Sequence, residues 1–128
     1  MNFSTDATLE LKIDEVNAAT IQAFRETAFI TGREFTRVIT QPRGWDGWGV
    51  RDIVDTGQLR SSQQLRFPSP LAAEFSWPVE YATEIHEGVT YRSGGGKKGR
   101  PWTTVALKEM DVEEVFNERY QAALNNIK

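Results

Sequence analysis

From Glu15 to Ile39 the chain repeats its apolar residues at helical spacing, over about seven turns. Val16, Ala19, Ala23, Ala28, Phe35 and Val38 fall near one stripe, and Ile21, Phe24 and Ile30 widen it. That spacing predicts one long amphipathic helix. Asp14 stands where its carboxylate can cap the first turn. Gly32 weakens the helix locally. Pro42, with Gln41 before it, stops it. A stripe of that length needs an apolar surface to cover it, and the rest of the chain must supply that surface.

The rest is short. A chain of 128 residues fits one domain, read here as residues 1–128. That is long enough for one real core. The period-2 run Thr8 to Asp14 reads as a strand or the extended lead-in to the helix. Gln63 to Phe67 alternates, with Leu65 and Phe67 on one face. Ala73 to Val79 alternates too, with Ala73, Phe75, Trp77 and Val79 facing one way. Pro78 cannot donate to a ladder, so this strand lies at an edge or ends there. Ser69 and Pro70 read as the turn between them. Asp111 to Ile127 predicts a second amphipathic helix, with Asp111 and Glu114 placed as a capping box. Tyr81 to Gly88 reads as a short helix or an irregular continuation. Pro101 suits the first position of a helix, although Trp102 to Val105 also has strand propensity. The expected class is α+β: a small antiparallel sheet flanked by a long N-terminal helix and a C-terminal helix.

Several function classes fall away. The net charge of −3 disfavours a strongly basic nucleic-acid binder. The chain has no cysteine, which removes disulfides and thiolate metal sites. Its start lacks a basic and then apolar leader, and no apolar run approaches the ~20 residues that span a bilayer. The reading is a soluble protein. The sole histidine, His86, has Glu84 and Glu87 beside it, which is no convincing metal or acid–base set. It reads as an ordinary surface or interface histidine. Glu80, Glu84 and Glu87 read as a solvated face. The stretch Gly94 to Thr104 resembles a phosphate loop only superficially, because Lys97 is followed by Lys98 where a hydroxyl should hold magnesium. No Gly-x-Ser-x-Gly elbow is present. No catalytic residue, cofactor or metal is expected, and the chain reads as no enzyme.

Charge layout is more informative. Arg92, Lys97, Lys98 and Arg100 place four positive charges and no negative one between Val89 and Pro101. Without them the chain keeps eleven basic against eighteen acidic residues, a balance of −7. With three consecutive glycines, residues 89–100 read as a flexible basic loop on an acidic body. Such an arm can reach phosphate or an acidic partner surface; a solvated loop is the plain alternative. The stretch Pro42 to Asp52 reads as a loop with three Gly and two Trp. Trp45 and Trp48 there serve either an interface or a local core. Trp77 has a core pattern. Trp102 follows the basic segment.

The order of these features resembles a family of small virion proteins of long-tailed double-stranded-DNA phages: the tail-completion, tail-terminator and head–tail joining proteins. The residues that carry the resemblance are Thr56, Gly57, Leu59, Arg60 and Ser62, then Tyr81, Ala82 and Gly88, then Arg100, Pro101 and Trp102. It covers about residues 14 to 126. The Trp-rich insert at 45–48 and His86, where an aromatic is expected, depart from the pattern. The resemblance implies a non-enzymatic virion subunit that closes a ring, usually six-fold, at the head–tail neck or the head-proximal end of the tail tube. It implies neck and tail-tube proteins as partners, host cytoplasm during assembly, and DNA passing through an acidic lumen without specific binding. Arg60, Arg92, Lys97, Lys98, Arg100, Trp45, Trp48 and Trp102 are the partner-binding candidates, with Arg60 free for an intersubunit carboxylate. The alternatives are a head-closure or adaptor subunit, and a small nucleic-acid-binding domain that stacks bases on Trp102.

Overall fold

A computed structural model describes residues 7–11, 17–41, 43–45, 49–51, 56–79, 82–90, 94 and 96–127. Strand β1 (Ala7–Glu10) leads to helix α1 (Ala18–Thr40). The helix starts later than the stripe suggests, because Asn17 supplies the cap. Its backbone is extended, and its side-chain oxygen accepts the Thr20 amide at 3.0 Å. Asp14, the expected cap, lies outside the described residues. At the other end Gln41 turns to ψ 128°, and its amide donates to the Arg37 carbonyl at 2.8 Å.

The buried side of α1 is made of Ala19, Ala23, Phe24, Ala28, Phe35, Val38 and Ile39, interleaved with Thr20, Thr27 and Thr31. These threonines do not leave stranded hydroxyls. Thr27 Oγ1 donates to the Ala23 carbonyl at 2.7 Å, and Thr31 Oγ1 to the Thr27 carbonyl at 2.8 Å.

Beyond α1, β2 (Arg43–Trp45) pairs antiparallel with β3 (Gly49–Arg51), in register Gly44 to Val50 and Trp45 to Gly49. The expected loop there is therefore a ladder. Trp45 and Val50 are good strand formers, and pairing satisfies backbone groups that a loop would leave to water. Helix α2 (Thr56–Ser61) then delivers the chain to β4 (Gln64–Ser69) and β5 (Ala72–Ser76). The main sheet runs β1-β5-β4, all antiparallel.

The sheet follows its alternation. Ala73, Phe75 and Trp77 are buried, Leu65 and Phe67 half-buried, and Gln64, Arg66 and Ser69 exposed. Strand β5 is central and ends at Ser76, before Pro78. The proline that does sit in a strand is Pro68, on edge strand β4, where the register shifts between Arg66 and Ser69.

Helix α3 (Ala82–Glu87) passes directly into β6 (Gly88–Thr90), which pairs with β7 (Gly96–Lys98). Gly88 makes that switch at φ 87°, a conformation that costs other residues a Cβ clash. Here too an expected loop contains a two-stranded ladder, so the basic segment is braced by backbone pairing instead of open. Helices α4 (Trp102–Glu109) and α5 (Val112–Ile127) complete the chain. Pro101 occupies the position before α4, one residue earlier than the sequence reading has it. Asp111 Oδ1 accepts the Glu114 amide at 3.1 Å, which caps α5 as its spacing predicts.

The fold is α+β. Helix α1 packs on the sheet through Phe35, whose ring meets Phe75 edge-on at 5.0 Å, and it also packs against α4 and α5. One core draws on Leu9, Phe24, Phe35, Leu59, Ala73, Phe75, Trp77, Ala82, Trp102 and Ala106. Gly32 has a use in this packing. A side chain there would meet Gln63 and Phe75, each 3.2 Å from the added carbon. Gln63 exploits the gap. Its Nε2 donates to the Gly32 carbonyl at 3.0 Å, and its Oε1 accepts from Thr36 Oγ1 and Trp77 Nε1, both at 3.3 Å.

Candidate functional site

Three of the residues carrying the sequence resemblance meet inside the molecule. Leu59 from α2, Ala82 from α3 and Trp102 from α4 belong to the same buried core. Trp102 is fully buried. Its ring meets Trp77 edge-on at 5.4 Å and His86 at 4.7 Å with the planes 89° apart. Its indole Nε1 finds no acceptor among the described residues. Beside it, the Arg100 amide donates to the Ile85 carbonyl at 2.6 Å, tying the end of the basic segment to α3.

Two site expectations are corrected by this arrangement. Trp102 is 0% exposed and Arg100 is 3% exposed, so neither forms part of an open partner-binding face. The reason is local. Trp102 opens a helix whose inner side lies against Trp77, and that position turns the ring into the core. Bases therefore cannot stack on Trp102 in this state.

His86 is corrected as well: it is buried, not a surface residue. Nδ1 lies 2.6 Å from Glu87 Oε1, and Nε2 lies 2.6 Å from Thr103 Oγ1. A carboxylate only accepts, so Nδ1 carries the proton, and Nε2 accepts from the threonine hydroxyl. Both ring nitrogens are then satisfied in the neutral form. Burial holds the imidazole below its ordinary pKa, partly opposed by the Glu87 carboxylate.

Arg60 is exposed on α2, with Nη1 3.4 Å from Thr40 Oγ1. Lys97 and Lys98 lie in β7, paired with Val89 and Gly88, and Trp45 lies in β2. The side chains of these three, and all of Arg92 and Trp48, lie outside the described residues.

The surface adds a feature that the sequence reading did not single out. Phe29 is 53% exposed, alone among the large apolar side chains described. Its ring meets Phe67 of β4 at 5.9 Å, and the Arg25 guanidinium lies over the other aromatic, 4.4 Å from the Phe67 centroid. That is cation–π geometry. Arg33, one turn beyond Phe29, is exposed too. Neither Arg25 nor Arg33 has a carboxylate partner among the described residues. The signal was available: Arg25, Phe29 and Arg33 recur every four residues outside the apolar stripe of α1, where an aromatic between two arginines stands out.

Among the described residues no group of three His, Asp or Glu side chains is placed to hold a metal, and no helix is long and apolar enough to cross a membrane. The groove between β1, α1 and α5 has a volume of about 230 Å³ and is lined chiefly by Leu9, Leu11, Phe24, Val112 and Phe116. That is below the size range of small-molecule sites, ~300 Å³ and upward. No family model matches the chain, and neither curated proteins nor solved structures give a match.

Proposed function

We propose that this chain is a non-enzymatic structural protein of a phage particle, a ring subunit acting as tail terminator or tail-completion protein at the neck or head-proximal end of the tail. One observation carries the reading. Leu59, Ala82 and Trp102, three of the residues that resemble that family, meet in one core, while the outer faces hold Arg60, an exposed aromatic and acidic and basic side chains without ion-pair partners among the described residues. A subunit built this way uses its recognisable residues for rigidity and leaves its surfaces for neighbours.

Ring closure follows from repeated head-to-tail contacts between copies, the geometry that generates cyclic oligomers. Six copies are the expected number. Arg60, exposed beside α1, is available for an intersubunit carboxylate. Lys97 and Lys98, whose backbones lie in β7, are the candidates for contact with an adjoining ring or the tail tube, and an acidic lumen lets DNA slide. The site of action is the virion, after assembly in the host cytoplasm. The nucleic-acid reading is disfavoured by the burial of Trp102, its stacking residue.

Particles assembled without the protein test the proposal. Overlong tail tubes are the expected result. Leaking heads with tails of normal length favour head closure instead, and particles that assemble normally overturn both.

A further inference from the structure

We infer that the Arg25–Phe29–Arg33 face of one copy seats on the outer face of α5 in the next copy, and that this heterologous contact closes the ring. The inference rests on the ring reading above and names its contact. Two exposed faces carry it.

The first is a knob. Arg25, Phe29 and Arg33 follow one another at single-turn steps, about 6 Å apart along the helix axis. The half-exposed Phe29 ring stands between two cations without carboxylate partners among the described residues, on a platform made by Phe67. The charges keep the face soluble, and the ring gives a partner apolar area to bury.

The second is a shallow, open depression along the outer side of α5, lined by four acidic residues, Asp111, Glu113, Glu114 and Glu118, with Ala122 among polar neighbours. The inward side of α5 is occupied by Val115, Phe116, Tyr120 and Ala123, so this outer side faces away from α1. Glu114 and Glu118 have no cationic partner among the described residues. Ala122, short among longer side chains, leaves a hollow that an aromatic ring can enter. The knob carries two positive charges and the depression four acidic residues, Glu114 and Glu118 central among them, so like faces repel and unlike faces attract.

Their placement suits a head-to-tail contact. The knob joins the sheet at β4 through Phe67, one edge strand. The first turn of α5 borders Leu9 and Leu11 at β1, the opposite edge. The faces thus lie on different flanks, and each protomer has one of each to offer.

Charge reversal tests this by sedimentation velocity and native mass, in solution and on isolated tail tubes. R25E/R33E and E114R/E118R should each remain folded by circular dichroism but associate roughly 100-fold more weakly than the parent chain. A modest loss of thermal stability is expected in each, since R25E removes the cation–π contact on Phe67 and E114R places a cation in the first turn of α5. Mixed together, the two variants should reassemble into an alternating ring with an even number of copies, since each then meets a complementary face. Phe29→Asp should abolish association by itself. If both reversed variants associate like the parent, the ring stands but is closed by another face, and this contact is wrong. The contact is equally wrong if each variant is weakened but the mixture fails to reassemble. A parent chain that stays monomeric in solution and on tubes overturns the ring reading along with the contact.

Discussion

The Trp102 indole presents itself edge-on to the His86 imidazole at 4.7 Å, with the histidine clamped between Glu87 and Thr103. This pair joins α3 to α4 and anchors the segment between them. Replacing Trp102 by Ala should cost about 3–5 kcal/mol, the range for emptying a large aromatic site. Urea unfolding followed by fluorescence of the remaining tryptophans measures it. Trp102→Phe should lose distinctly less, because the indole nitrogen makes no hydrogen bond among the described residues.

His86 should make stability pH-dependent. Its pKa is lowered in the folded state by burial. The unfolded chain therefore binds a proton first as pH falls below about 6.5, while the folded chain resists it. The stabilising contribution is complete above that pH and is lost on acidification toward the lower folded value. Thermal unfolding of the parent chain should fall more steeply between pH 7.5 and 5.5 than that of His86→Gln. Equal slopes would remove His86 as the cause.

Gly99 should tolerate no side chain. An added carbon would stand 2.7 Å from the Glu87 carbonyl carbon and 2.9 Å from the Gly88 nitrogen, and would also meet the His86 carbonyl oxygen. These are backbone atoms that cannot rotate away. Gly99→Ala should lower the melting temperature by several degrees and increase amide exchange in β6 and β7.

Gln63 bridges α1 and the strand region through three hydrogen bonds. Gln63→Ala leaves the buried Trp77 Nε1 without its acceptor and should cost about 1–3 kcal/mol. By contrast, Arg37→Ala should cost under ~1 kcal/mol. Arg37 bonds Glu34 and Glu109, yet its side chain is 41% exposed and water screens the pairs. Chemical denaturation of the two variants side by side checks the contrast.

Much of the frame was legible from local pattern. The stripe on α1, the alternation of β4 and β5 and the Asp111 cap each follow from spacing that a single element imposes on its own residues. The ladders at 43–51 and 88–98 were not legible, because glycine-rich segments carry the same composition whether open or paired. The exposed knob on α1 was half-legible: its four-residue spacing is visible, but exposure is not.

Sequence alone determined the α+β class, the long N-terminal helix and the pairing of alternating strands, since periodicity is a property of neighbours along the chain. Tertiary structure decided that Trp102, Arg100 and His86 lie inside and that Phe29 lies outside. Burial depends on what a side chain meets from distant segments: Trp77 reaches Trp102 across the core, while Phe29 meets the half-buried Phe67 and stays half exposed.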